Sequence, residues 1–275
     1  ELAVLLEGGS LHFDRSVVRD ALRFGLVAAP GAGAAELIVT DSLVDRATRV
    51  GVFAQAATVR LARTVVRDTQ PSDEDTSGIG YGVNVQSGAQ LFIEDSVVER
   101  NIAIGVRVNA SHAQLDRTTI ADTFPDPEGA RGVGIEVGDI EGAAEMGSAS
   151  LRDVVLVRNA DAAVRAFGTV VELERVVARD TAPRAEAAQE EASAFGNAVD
   201  AFPSPFTETT VAVSATDSLF ERNAEVGLLL RGGSLTVSGC HVRDTSPNPY
   251  SGLFGEGIVA QGSTALSLAA TLAVE

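Results

Sequence analysis

The chain has 275 residues, 45% of them apolar and 21% charged, enough material for one long core in a soluble folded domain. Its formal net charge is -17 and every basic residue is an arginine, a balance that argues against nucleic acid or an anionic membrane as partner. The single cysteine, Cys240, excludes an internal disulfide, and no apolar run is long enough to span a membrane.

The first residues lack a signal-peptide pattern. Instead Ala3-Val-Leu-Leu-Glu-Gly-Gly-Ser-Leu11 lines up with Gly227-Leu-Leu-Leu-Arg-Gly-Gly-Ser-Leu235, so the opening reads as the tail of a repeat. One phrase then recurs: Arg15-Ser-Val-Val-Arg-Asp20, Asp41-Ser-Leu-Val-Asp-Arg46, Arg63-Thr-Val-Val-Arg-Asp68, Asp95-Ser-Val-Val-Glu-Arg-Asn101 and Asp217-Ser-Leu-Phe-Glu-Arg-Asn223. Around it, each repeat carries three strand-like runs. The first alternates apolar and polar residues, as in Leu11 and Phe13, Leu37 and Val39, or Leu91 and Ile93, so one face is buried and the other wet. The second is the Val-Val pair, whose latter member forms the column Val18, Val44, Val66, Val98, Ile120, Leu156, Ala178, Phe220, Val242. The third is Gly-Val-x-Val, as at Gly51, Gly82, Gly105 and Gly134, with a glycine suited to a turn backbone.

Steps along that column are 22 residues from Val44 to Val66, Val98 to Ile120, Leu156 to Ala178 and Phe220 to Val242, with longer steps between. Three strands per turn, a short period and no helical pattern predict an all-β parallel β-helix, a single-stranded solenoid of about nine full coils forming one domain over 1–275. Open coils expose strand edges, so the expectation is a segment of a longer chain, with flanking coils, a cap from another domain, or end-to-end self-association.

Alternate coils are long. Their insertions leave after Asp68-Thr-Gln-Pro71, Asp122-Thr-Phe-Pro125, Asp180-Thr-Ala-Pro183 and Asp244-Thr-Ser-Pro247, where proline stops the strand. Loops are therefore predicted near 69–80, 123–131, 181–197 and 245–256, with a second family of insertions at Gly138 to Ala149 and Ala201 to Thr210. At the corners one column reads Arg15, Asp41, Arg63, Asp95, Arg117, Asp153, Arg175, Asp217, and another reads Asp20, Arg46, Asp68, Arg100, Asp122, Arg158, Asp180, Arg222, Asp244. Alternation of sign makes each step attractive, a structural role more economical than a binding track. Cys240 ends a column of small residues and reads as a buried packing cysteine, while Asn101, Asn159 and Asn223 suit left-handed corners with stacked amides.

The pattern Leu-x-Ile-x-Asp-Ser-Val-Val-x-x-Asn-x-x-x-Gly-Val-x-Val, legible from Leu91 to Val108, resembles right-handed parallel β-helix repeat proteins, the pectate-lyase-like superfamily. The Arg67-Asp-Thr-Gln-Pro71 loops with a returning Phe195-Gly196 are also similar to large surface repeat proteins of GC-rich bacteria. Right-handedness and an extracellular or cell-surface location are what the resemblance implies. It does not select a function, since such helices include lyases, hydrolases, epimerases and members without known activity.

The polygalacturonase motifs Asn-Thr-Asp, Asp-Asp, Gly-His-Gly and Arg-Ile-Lys are absent, as is the epimerase Asp-Pro-His. An enzyme reading therefore rests on the outer face of the first run, where Glu94, Asp116, Arg152 and Glu174 share a column with Glu172 beside it. Glu94 and Asp116 on adjacent rungs offer an acid pair, with Arg152 to hold a sugar carboxylate or neutralise its neighbours. The residues bet on for binding are the insertion aromatics Tyr81, Phe124, Phe195 and Phe254, alongside Phe202, Phe206 and Tyr250, which either line a groove or pack the loops down. Asp73, Glu74 and Asp75 offer hard oxygen ligands for Ca²⁺, or simply a solvated loop tip; no other cofactor is implied. The favoured expectation is a non-enzymatic secreted or cell-surface scaffold that recognises a polysaccharide or a cell-surface protein through the loops of alternate coils. The competing one is a carbohydrate-active lyase or hydrolase.

Overall fold

A computed structural model describes residues 2–72, 78–129, 131–142, 146–183, 195–207, 209–262 and 270–274. Each run becomes a strand that pairs in parallel with its equivalent one coil on, because a coil that cannot bury its apolar face alone buries it by stacking. The first runs, from Gly9–Asp14 to Ala270–Val274, form a ten-stranded sheet. The second runs, Val17–Arg19 to His241–Arg243, form a nine-stranded one, and the third runs, Leu2–Glu7 to Glu256–Gln261, another of ten. Among the described residues the pairings between these strands are parallel and in register, as in Leu91 with Ala113 and Ile93 with Leu115. The described residues contain no helix. The architecture is the expected right-handed parallel β-helix.

Inward residues of the three sheets meet in one continuous core. Leu37, Leu91, Val83, Ile135, Ile120, Leu156 and Phe220 are each fully buried, confirming the Val-Val column as its spine. The small-residue column links coils by hydroxyls: Ser42, Ser96 and Ser218 accept from the backbone N–H groups of Ser16, Thr64 and Val176 at 3.0–3.1 Å. Cys240 is only partly buried, packed against the end of the core, and this desolvation raises its thiol pKa.

The Gly-Val-x-Val glycines serve closeness, not a turn. A Cβ at Gly25, Gly51, Gly82, Gly105 or Gly227 would lie 2.5–2.6 Å from the carbonyl oxygen of the glycine one coil on. It would also meet a γ-carbon of Val44, Val66, Val98, Ile120 or Val242 at 2.6–2.9 Å. Ala163 and Ala198 occupy this column where the next coil presents Ala178 and Phe220, which have no β-branch.

Corner backbone follows a different rule from the one expected. Asn101, Asn159 and Asn223 are not left-handed; the charged residues before them are, and both corner columns hold φ between 43° and 57° throughout. The asparagines instead clip each short coil to the long coil before it. Each Oδ1 accepts from the backbone N–H of Thr69, Thr123 or Thr181 at 3.1–3.2 Å, and each Nδ2 donates to a carbonyl oxygen.

The charges stack in pairs rather than as an unbroken ladder. Arg63, Arg117 and Arg175 fork onto Asp41, Asp95 and Asp153 of the preceding coil at 2.7–3.1 Å. On the other column Arg46, Arg100, Arg158 and Arg222 fork onto Asp20, Asp68, Asp122 and Asp180 at 2.7–3.2 Å. The columns are out of phase, so successive junctions are stapled alternately at one corner and then the other. Where Gly239 ends the first column, Arg243 holds Glu221 instead.

These forks hold Asp20, Asp41, Asp95 and Asp153 below the ordinary aspartate range, chiefly through hydrogen bonds from Arg46, Arg63, Arg117 and Arg175. A carboxyl with a depressed folded pKa binds fewer protons folded than unfolded. Its stabilisation is complete above the unfolded value of about 3.9 and is lost as pH falls through the folded one. Acid titration followed by circular dichroism should therefore show stability falling below about pH 4, less steeply in an Asp95→Asn/Asp153→Asn variant. An unchanged slope in that variant would remove the staples from the acid response.

Candidate functional site

Two surfaces and one cleft bear on function. On the outer face of the first sheet, Glu94, Asp116, Arg152 and Glu174 do share a column, adjacent along Glu94–Asp116, Asp116–Arg152 and Arg152–Glu174. Glu172 lies in the neighbouring column beside Ser150. The corner arginine Arg117 reaches Glu94, Asp116 and Asp95 together, so the acid pair shares a cation. Arg152 meets Glu174 at 3.2 Å, and hydrogen bonds from Arg152 and Arg175 lower the Glu174 pKa. Nearby, a depression of about 400 Å³ is lined in part by Gln114, Ser150 and Glu172, with His112 Nδ1 2.8 Å from Ser148 Oγ.

The insertion aromatics do not gather in one place. Tyr81 is buried, its ring 5.3 Å from the Arg107 guanidinium and its hydroxyl accepting from Arg131 at 3.2 Å. Phe124 and Phe254 are exposed and lie outside the cleft described next, whereas Phe195 lines it. Asp73, Glu74 and Asp75 lie outside the described residues. Among those described, no three His, Cys, Asp or Glu side chains are grouped to hold a metal ion. No helix there is long and apolar enough to cross a membrane.

The cleft sits on the outer face of the third sheet, with a volume of about 380 Å³. Its floor comes from the x position of Gly-Val-x-Val. Outward on successive strands this column reads Val27, Phe53, Asn84, Arg107, Glu136, Arg165, Asp200, Leu229, Val259. It is apolar towards both ends and charged in the middle. Arg107 donates to Glu136 at 3.1 Å. Arg165 lies 3.0 Å from Asp161 and 3.4 Å from Asp200, and Arg231 donates to Asp200 at 2.5 Å. Asp161 and Asp200 are at most 1% exposed, so these carboxylates have left bulk water. Beside them Glu225 has its pKa raised, first by burial and further by Asp200 and Asp161, against the opposing Asn248 hydrogen bond.

The walls come from the second family of insertions together with Phe167, at the end of the strand Asp161–Phe167, and Phe195 of the 181–197 loop. Phe167 lies over Gly138, where an added Cβ would meet its ring at 2.1 Å, and stacks on Phe202 with centroids 5.6 Å apart. Phe206, half exposed, meets Phe167 edge to face at 6.4 Å. Arg231 lies over both Phe202 and Phe195, at 5.0 and 5.6 Å. The two insertions are tied together by the Thr207 hydroxyl, which donates to Asp139 Oδ2 at 2.8 Å; the other oxygen of Asp139 is buried with no hydrogen-bond partner among the described residues.

Reading the sequence by its corner charges and first-sheet acids passed over this floor. The signal was present: four successive charged residues in a column whose ends are apolar, two of them, Glu136 and Asp200, in the coils that carry the second insertions. A scan against models of known protein families found no match, and a search of curated proteins found no relative.

Proposed function

We propose that the chain is a binding module, a secreted or cell-surface β-helix scaffold in which insertions of alternate coils present a recognition cleft on the third sheet. The observation that carries this reading is the charge of Arg107, Glu136, Arg165 and Asp200 on one outward column, the two acids buried and the two arginines partly so. Burying charge costs several kcal/mol per ion unless it is well paired. The fold does not require it, since Val27, Leu229 and Val259 fill the same column in other coils. Aromatic walls over a polar floor are the general composition of ligand pockets, and about 380 Å³ falls within their usual size. The likeness of the repeat to pectate-lyase-like helices and bacterial surface repeat proteins supports the extracellular setting. A polysaccharide or a cell-surface protein is the partner class proposed.

The alternative, a carbohydrate-active enzyme at the outer face of the first sheet, draws on the adjacency of Glu94 and Asp116. Arg117 already engages both of these carboxylates as part of the corner staple. The test is a screen of polysaccharides and surface proteins for both capture and turnover. Capture without turnover, lost in Phe202→Ala and Arg231→Ala, is the expected result. Cleavage abolished by Glu94→Gln or Asp116→Asn overturns it.

A further inference from the structure

We infer that the third-sheet cleft takes an uncharged polyhydroxy ring, a residue of a neutral glycan, and discriminates against acidic and amino sugars. This inference rests on reading the cleft as the recognition site. Four arginines and four acids line it: Arg107, Arg131, Arg165 and Arg231 against Glu136, Asp139, Asp161 and Asp200. On a chain of net charge -17 this is a locally balanced patch. Each guanidinium already has a partner inside the protein. Arg107 has Glu136, Arg131 the Tyr81 hydroxyl, Arg165 both Asp161 and Asp200, and Arg231 has Asp200.

A ligand carboxylate entering the cleft finds Arg107, Arg165 and Arg231 already in ion pairs, while Arg131 bonds the neutral Tyr81 hydroxyl, and it adds a negative charge beside buried carboxylates. A ligand ammonium adds a positive charge beside four arginines and finds Glu136, Asp161 and Asp200 already in ion pairs, while Asp139 bonds the Thr207 hydroxyl. Either arrangement places like charges together in a site withdrawn from water, where the penalty is large. Hydroxyl groups face no such penalty. An ionised carboxylate has about four acceptor positions and a guanidinium five N–H donors, so paired ions retain hydrogen-bonding capacity. A hydroxyl both donates and accepts, and it joins such a network without changing its charge. Phe206 supplies the other half of the match. Its half-exposed ring stands at the wall against Phe167, offering an apolar surface to the C–H face of a ring. The volume, about 380 Å³, suits a ligand of one or two such rings rather than an extended chain.

The test is calorimetric titration of the whole chain with methyl glycosides of neutral hexoses, the matching uronic acids and the matching hexosamines. The neutral glycosides are expected to bind, with the charged analogues weaker by about tenfold or more. Phe206→Ala should weaken the neutral ligand about tenfold while leaving the circular dichroism spectrum unchanged. Asp200→Asn, which removes one negative charge beside Arg165 and Arg231, should raise uronate affinity relative to the neutral sugar. Uronates binding as tightly as neutral glycosides would overturn the ligand class, as would no binding of any sugar while another ligand still depends on Phe206. A ligand indifferent to both Phe206→Ala and Asp200→Asn would instead sink the cleft reading itself.

Discussion

Gly105→Val is expected to destabilise the helix by about 3 kcal/mol or more, beyond the usual range for a single surface change. The reason is the stacking distance. Even the first carbon of a side chain at this position falls 2.6 Å from the Gly134 carbonyl oxygen and 2.9 Å from the Ile120 γ-carbon. The first contact is backbone of the next coil, which moves only if the sheet pairing moves with it. The second is a β-branched side chain in a fully buried column. Gly105→Ala should cost less, about 1–3 kcal/mol, and that cost should be smaller when measured in an Ile120→Ala background, a coupling read by a double-mutant cycle. The sequence offers its own control, since Ala163 and Ala198 stand in this column where no β-branch faces them. Urea denaturation of these variants measures the order. A Gly105→Val chain as stable as the parent would show that the coils are not packed this closely.

Arg165→Ala is the second large effect, with an expected loss of about 3–5 kcal/mol. Here the mechanism is electrostatic. The arginine is the shared cation of Asp161 and Asp200, both at most 1% exposed, and its own side chain is 13% exposed. Removing it leaves two buried carboxylates with one guanidinium fewer between them, and water has little access to replace it. Exposed staples behave differently. Arg117→Ala removes more ionic contacts than Arg165→Ala, yet its partners Asp95 and Glu94 are about half exposed and rehydrate. The expected ranking is therefore the reverse of a count of ion pairs. Thermal unfolding of the two variants side by side checks it, and a larger loss for Arg117→Ala would contradict the burial argument.

The fold was legible because a solenoid writes its structure as a period. Leu91 and Ile93, Val98, and Val106 each declare a strand and a buried face, and the repeat spacing places them one above another. Short range was harder. The glycine of Gly-Val-x-Val suggests a turn to a reader of single coils, because the next coil's carbonyl is 22 or more residues away in sequence. Asn101 likewise looks like a left-handed corner until its amide is seen clipped to Thr69 and Val66, leaving Arg100 in the left-handed position. The corner charges were read in the right files but as a continuous ladder. Only side-chain geometry shows the corner arginines from Arg46 to Arg222 choosing the coil before them.

The site was the least legible part. Phe195 was named on the loop side, and Phe202 and Phe206 were seen in the insertions. However, Tyr81 turned inward, and the floor residues Arg107, Glu136, Arg165 and Asp200 sit in separate coils 29 to 35 residues apart. What unites them is a register of parallel strands with insertions of unequal length between. Until that register is fixed, Asp161 and Asp200 look like any other acids on an acidic chain.

Under the proposed function, the buried charges of the cleft serve a ligand and are not needed by the helix. The most direct test replaces them together by the residue types of other coils, as Asp161→Ala, Arg165→Val, Asp200→Leu and Arg231→Gln in one chain, and measures its thermal midpoint. A midpoint equal to or above that of the parent is predicted, because apolar replacement of a whole buried ion network is commonly neutral or stabilising. A midpoint several degrees lower, approaching that of Arg165→Ala alone, would show that these charges hold the helix together and would contradict the account.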